Sequence, residues 1–239
     1  MWPEINYFIY LSLLTSVLIL VLPKAARHQK QNISIATNIV FIILTSGLIG
    51  ARLFHVLYED GPAYKQNPFR FFYLWNGGFV YYGGAFTAAF ATYLYLSFKK
   101  INVGRWFDFL TPFLSISYGL GRGACFIVGC CYGKLCNAPW AVNNRHPTQL
   151  YAALWELVVF FIIFFRWKYF FLKNKPGQLF WLWILGHALG RLVMENYRDD
   201  FRGAIINGVS ISSWISLLLL VVSIFKLNSL NNNFTTKVQ

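Results

Sequence analysis

Arg122 stands inside Tyr118-Gly-Leu-Gly-Arg-Gly-Ala-Cys-Phe-Ile-Val-Gly-Cys-Cys-Tyr-Gly133, a run of glycines and apolar residues around one strong charge. Placing a guanidinium in so apolar a segment costs on the order of 3 kcal/mol unless a partner or a ligand meets it. Arginine recurs in comparable surroundings at Arg52, near His55, and in the series His187, Arg191, Glu195 and Arg198. That series is spaced to lie as one polar stripe along an otherwise apolar helix. Glu195 is expected to pair with an arginine, because a buried lone carboxylate is costly. Even so, Arg52, Arg122, Arg191 and Arg198 outnumber it, and the surplus calls for an anion. A phosphate fits, since the planar guanidinium fork binds it through two parallel hydrogen bonds. The alternative is an Arg191–Glu195 pair that only holds helices together.

Other residues extend the set. Gly119, Gly121, Gly123, Gly129 and Gly133 allow a backbone or a ligand to approach closely, with tight helix packing as the alternative. Trp75-Asn-Gly-Gly-Phe-Val-Tyr-Tyr-Gly-Gly84 sets two diglycines among aromatics, which suits a re-entrant or interfacial loop lining a cavity. His146, in Arg145-His-Pro-Thr-Gln-Leu-Tyr151, offers a titratable ring, read either as a base or as a structural histidine beside Pro147. Cys125, Cys130, Cys131 and Cys136 read as small buried hydrophobes, with a bridge such as Cys131–Cys136 as the alternative. They form no CxxC pair and have no histidine at ligand spacing, so neither a metal nor a cofactor is expected.

The elements that must position these residues are membrane helices. The 239 residues are 57% hydrophobic and 12% charged, too apolar for a soluble domain. The composition predicts an all-α, polytopic fold: a single domain over 1–227 and a flexible cytoplasmic tail over 228–239. Seven runs, at about 5–22, 33–58, 79–98, 106–127, 148–166, 178–197 and 209–227, are each long enough to cross a hydrocarbon core about 30 Å thick. The first lacks a basic leader and a small-residue cleavage site, so it reads as a retained span rather than a signal peptide. Alternate connections, around Lys24 to Lys30, Lys99 to Arg105, Arg166 to Lys175 and the C-terminal tail, collect most of the 21 Lys and Arg. They are therefore assigned to the cytoplasm, with the N-terminus outside and the C-terminus inside. The net charge of +13 then reflects topology and anionic headgroups, and no nucleic-acid partner is expected. In this arrangement Arg52, His55, Tyr82, Gly83, Gly84, Arg122, His146, Arg191, Glu195 and Arg198 all fall toward the outer leaflet.

The chain resembles the bacterial phosphatidylglycerol:prolipoprotein diacylglyceryl transferases. The resemblance rests on Trp75-x-Gly-Gly-x4-Gly-Gly84, Asp108-Phe-x-x-Pro112, Gly121-Arg122-x3-Phe126-x2-Gly129-x3-Gly133, Arg145-His-Pro-Thr-Gln-Leu-Tyr151, Arg191-x3-Glu195-x2-Arg198 and Gly208-x-Ser-x3-Trp214-x-Ser216. It implies seven spans in the bacterial inner membrane, an active site toward the periplasmic side, and the bilayer, phosphatidylglycerol and prolipoprotein signal peptides as partners. The implied reaction moves the diacylglyceryl group of phosphatidylglycerol to the thiol of a lipobox cysteine, leaving glycerol phosphate. Arg122 and Arg191 would bind and stabilise the phosphate, and Glu195 would orient Arg191. Arg52, Arg198, Gly83, Gly84 and Gly133 would contact substrate. The base would be Tyr82, which stands where many members carry His, or His146; a phenol near pKa ~10 needs neighbouring arginines to serve. Cys125 and Cys130 also depart from the Asn and the acid common at their positions. Two other readings are a lipid-directed transferase or hydrolase with a different acceptor, and a non-enzymatic transporter, which the lack of an internal repeat disfavours.

Overall fold

The computed structural model describes residues 2–74, 77–199 and 205–235. Among them are eight α-helices: α1 (Trp2–His28), α2 (Ile33–Phe54), α3 (Gly61–Gln66), α4 (Tyr81–Phe98), α5 (Val103–Val128), α6 (Thr148–Phe170), α7 (Gln178–Glu195) and α8 (Ile211–Thr235). A two-stranded ribbon, β1 (Ile205–Ile206) and β2 (Val209–Ser210), precedes α8. The fold is all-helical. Among the described residues three helical segments, Ile33–Leu57, Thr148–Phe170 and Ile211–Asn232, are long and apolar enough to cross a membrane. On α6 and α8, Phe161, Phe165, Leu218 and Phe225 are exposed, which suits hydrocarbon and not water as their surroundings. Helices α1, α5 and α6 extend beyond their apolar runs, whereas α2, α4 and α7 fall short of theirs, and α8 continues through 228–235, within the stretch expected as a tail.

The contacts divide the chain into two compact units, Leu18–Val103 and Met1–Val17 with Gly104–Gln239. In the first, Asn32 caps α2 by accepting from Ile35 N at 3.3 Å. Helices α2 and α4 then pack so closely that glycines at the contact leave no room for a Cβ. A Cβ on Gly50 would fall 1.8 Å from Thr87 Oγ1, and one on Gly83 would fall 2.4 Å from Phe54 Cβ. Thr87 Oγ1 also donates to Ser46 O at 3.0 Å. Without a hydrophobic driving force in lipid, such small-residue faces let dispersion and interhelical hydrogen bonds hold two helices.

The second unit is built on α5, α6 and α7. Asp108, fully buried on α5, accepts from Gly177 N at 2.8 Å and from Phe180 N at 3.0 Å. It thereby satisfies donors that α7 leaves open at its N-terminus, and its charge opposes the positive end of that helix. Close approach is possible because position 104 has no side chain; a Cβ there would lie 2.8 Å from the carbonyl carbon of Pro176. Val159, Ile163 and Trp183 form the core between α6 and α7, with Leu114 and Phe180 packed against it.

Candidate functional site

Arg122 projects from the last turns of α5, where Tyr118 precedes it by one turn. Its Nε donates to Tyr118 Oη at 2.9 Å, and its guanidinium carbon lies 5.0 Å from the centre of that ring. The Nη groups donate to none of the described residues. Tyr118 in turn meets His187 of α7 edge to face, with centroids 4.5 Å apart. Behind His187 stands Glu156 of α6, 1% exposed. Its Oε2 lies 3.0 Å from His187 Nδ1, and its Oε1 accepts from Ser115 Oγ at 2.9 Å and Trp183 Nε1 at 2.6 Å. A buried carboxylate so fully engaged fixes the tautomer and the plane of His187, which holds the Tyr118 ring and, through it, Arg122. Glu156 is the lone acid within the apolar run 148–166, the kind of residue that membrane cost singles out, although no motif or stripe in the sequence marks it.

Arg191 lies one turn beyond His187 and lines the same cavity as Tyr118, Glu156, His187 and Met194. Its Nη2 is 3.6 Å from Glu195 Oε2, with both side chains largely buried. Glu195 Oε1 accepts from Ser210 Oγ at 2.5 Å. Ser210 is delivered by the ribbon, whose Asn207–Gly208 corner has φ of +52° and +76°, the two left-handed positions of a tight hairpin. Arg122, Tyr118, Glu156, His187, Arg191 and Glu195 are thus linked by contact or a shared cavity within one unit.

Arg198 does not belong to the helical stripe. The spacing placed it on the same face as Arg191 and Glu195, but α7 ends at Glu195, and Arg198 pairs as an isolated bridge with Gly133. Asn196 and Tyr197 form the intervening turn, and the chain leaves the helix there because Lys134 N takes Tyr197 O at 2.8 Å. Gly133 N also donates to His146 O at 3.0 Å. A Cβ on Gly133 would stand 2.6 Å from Tyr197 O and 2.7 Å from His146 Cβ. Gly133 is therefore the point where the segments of Arg198 and His146 meet. His146 Nδ1 lies 3.2 Å from Tyr151 Oη, and its ring packs against Tyr151 and Tyr197. Arg145 closes the knot, donating to Gly133 O and pairing with Asp199 at 3.0 Å.

The cysteines depart from expectation. All four are free, Cys130 is exposed, and Cys125, Cys130 and Cys131 converge, so neither the buried-hydrophobe reading nor the Cys131–Cys136 bridge describes them. Hydrogen bonding with Cys125 and Cys130, aided by the charges of Arg198 and Arg122, holds the Cys131 thiol well below the usual thiol range. Hydrogen bonding with Cys125 and Cys131 pushes Cys130 up.

In the other unit, Arg52 is 3% exposed and spends its donors on the backbone. Nε donates to Phe71 O, Nη1 to Gly77 O and Gly78 O, and Nη2 to Arg70 O and Tyr73 O. Five N–H groups thus meet five carbonyls, the full capacity of a guanidinium. A Cβ on Gly78 would lie 2.6 Å from Arg52 Nη1, so the first diglycine lets the loop fold onto this arginine. Gly83 and Gly84 are buried on the α4 face that meets α2, and Tyr82 beside them is half-buried. Trp75 and Asn76, which open the motif, lie outside the described residues.

Comparison with known proteins adds an independent finding. Residues 6–228 match the family model described as prolipoprotein diacylglyceryl transferase. A phosphatidylglycerol–prolipoprotein diacylglyceryl transferase of Clostridium tetani is 31% identical over 227 residues, covering 88% of this chain and 86% of its own. Similarly named proteins of Rhodospirillum rubrum and Streptococcus pneumoniae are 31% identical over 188 residues and 30% identical over 200 residues. The first covers 74% of this chain and 69% of its own, the second 78% and 74%.

Proposed function

The chain belongs to the prolipoprotein diacylglyceryl transferase family, and from that premise we propose how its residues carry the reaction. It is a multi-pass membrane enzyme that transfers the diacylglyceryl group of phosphatidylglycerol to prolipoproteins. The acceptor is the thiol of a lipobox cysteine at the end of a signal peptide. Its sulfur attacks the glyceryl carbon that bears the phosphate. A thioether forms, the carbon–oxygen bond breaks, and glycerol phosphate leaves with the electron pair. The thiol proton passes to a base.

Arg122 binds the phosphate through its Nη groups while Tyr118 holds Nε. The single observation that carries this assignment is a guanidinium anchored at one nitrogen, with Nη donors that no described residue takes up. Arg191 stabilises the departing charge from the adjoining cavity, oriented by Glu195, since fixed cations in a dry site act strongly on charge that develops there. Arg198 and Gly133 border the acceptor side, and His146 beside them takes the thiol proton; Tyr82 is the second candidate. Arg52 acts at one remove, clamping the Gly77–Gly78 turn, and Gly83 and Gly84 set the closeness of α2 and α4. Seven spans cross the inner membrane with the N-terminus outside, the C-terminus in the cytoplasm and this site toward the outer leaflet, a reading supported by the bias of Lys and Arg toward alternate connections.

Purified protein supplied with phosphatidylglycerol and a lipobox peptide should give a thioether product, detected as a diacylglyceryl mass increment on cysteine. Failure of a folded preparation to form it, with modification of a different acceptor, would transfer the reading to another lipid-directed transferase. In the same assay His146→Gln should lose most turnover and Tyr82→Phe should keep it; the reverse result reassigns the base.

A further inference from the structure

Cys125, Cys130 and Cys131 hold their sulfurs within 4.8 Å of one another, and the backbone brings them there. Helix α5 ends with Cys130 N donating to Cys125 O at 3.1 Å and Gly129 N to Phe126 O at 3.2 Å. Gly129 has φ +77°. This paired closure around a left-handed glycine folds the residue after the glycine back over the one three positions before the helix cap. Here those two residues are Cys130 and Cys125. Cys131 is itself left-handed, at φ +65°, and its sulfur lies 3.4 Å from that of Cys130. A non-glycine residue in that region costs about 1 kcal/mol or more and persists where its surroundings fix it. They do: Thr148 Oγ1 donates to Cys131 O at 2.8 Å, and the Gln149 amide, on a side chain 1% exposed, donates to Cys130 O. The start of α6 thus pins both carbonyls of the vicinal pair.

Three sulfurs around one ion, each at ~2.3 Å, lie roughly 3.7 to 4.0 Å apart in tetrahedral or trigonal geometry. The trio, with all sulfurs within 4.8 Å of one another and one pair at 3.4 Å, already brackets that spacing. It contains no carboxylate or imidazole, so it selects against hard cations and for soft ones. Three thiolates leave any such complex negative, and Arg122 and Arg198 lie close enough to Cys131 to act on it electrostatically. Exposed Cys130 leaves a path for the ion to enter.

We propose that Cys125, Cys130 and Cys131 form a three-thiolate site at the end of α5 for a thiophilic d10 cation, Zn(II) or Cu(I). Each sulfur ligates as thiolate, and its proton goes to the buffer. The site is independent of the transferase reading, because its ligands need neither lipid nor peptide.

The full chain, purified in detergent with its thiols reduced, would be titrated with Zn(II) against a competing chelator and, separately, with Cu(I) against a colorimetric Cu(I) chelator. One equivalent should bind in at least one arm, and X-ray absorption at that metal's edge should show three sulfurs at ~2.3 Å. Cys130→Ser and Cys131→Ser should each weaken binding at least tenfold, while Cys136→Ser, outside the trio, should not. Should Cys131→Ser fail to fold, exposed Cys130→Ser decides alone. Absence of binding in both arms overturns the proposal, as does binding unchanged by Cys130→Ser, or a disulfide joining two of the trio in protein prepared without reductant.

Discussion

Arg122 donates through Nε to Tyr118, and no described residue takes up its Nη donors, which can close on a phosphate by two bonds. A lysine at this position keeps the charge but loses both the fork and the tether, so Arg122→Lys should lower turnover roughly 100-fold, the scale of losing a preorganised donor. Activity within a few-fold of the parent would reject the clamp. Glu156 tests the support behind it. Glu156→Gln keeps the volume and an acceptor for Ser115 and Trp183, but it turns an amide N–H toward His187 Nδ1. His187 must then change tautomer or turn. A hydrogen bond to a charged group contributes about 1.5 to 3 kcal/mol to stability, so the melting temperature should fall measurably, and turnover should fall about tenfold beyond that as Arg122 loses its support. Unchanged turnover would assign Glu156 to packing alone. Arg122 was legible in the sequence as a charge that needs a partner or a ligand, from its apolar surroundings. Glu156 was harder to read, because its partners Ser115, Trp183 and His187 come from two other helices and no local spacing connects them.

At the scale of elements, α7 carries Arg191 and Glu195, and its start depends on a residue far away in sequence. Asp108 supplies the acceptors that Gly177 and Phe180 need. Asp108→Ala leaves those donors open and should cost about 1 to 2 kcal/mol, the range for losing a helix cap. A lower melting temperature in detergent, measured beside Asp108→Asn, which retains one acceptor, would check this, with the Asn variant expected between parent and Ala. The sequence marked Asp108 as the start of a motif but gave no sign of its partner, since the cap is made across helices. The stripe from His187 to Arg198 shows the opposite case. Its period was read correctly through Glu195, but periodicity does not say where a helix stops. The pairing of Gly133 with Arg198 and of Lys134 with Tyr197 draws the chain away from α7.

For the whole molecule, the distribution of Lys and Arg leads to a test of orientation. A reporter enzyme active only outside the membrane should be inactive when fused after Lys30, Lys100 or Lys175 and active after Asp60, Asn144 or Asn207. The opposite pattern would place the site on the cytoplasmic side and remove the case for an outer-leaflet phosphatidylglycerol. By itself the sequence determined the helical class, the approximate place of each long helix and the surplus of arginines near glycine. Composition, apolar run length and charge bias are properties of the chain read locally, and lipid imposes them strongly. Only the tertiary structure decided which arginine is saturated and which is not. Arg52 and Arg122 look alike in sequence, yet among the described residues one meets five backbone carbonyls and the other a single tyrosine hydroxyl. Hydrogen-bond capacity is filled by whatever atoms the fold brings within about 3 Å, and those atoms come from segments that the linear order keeps apart.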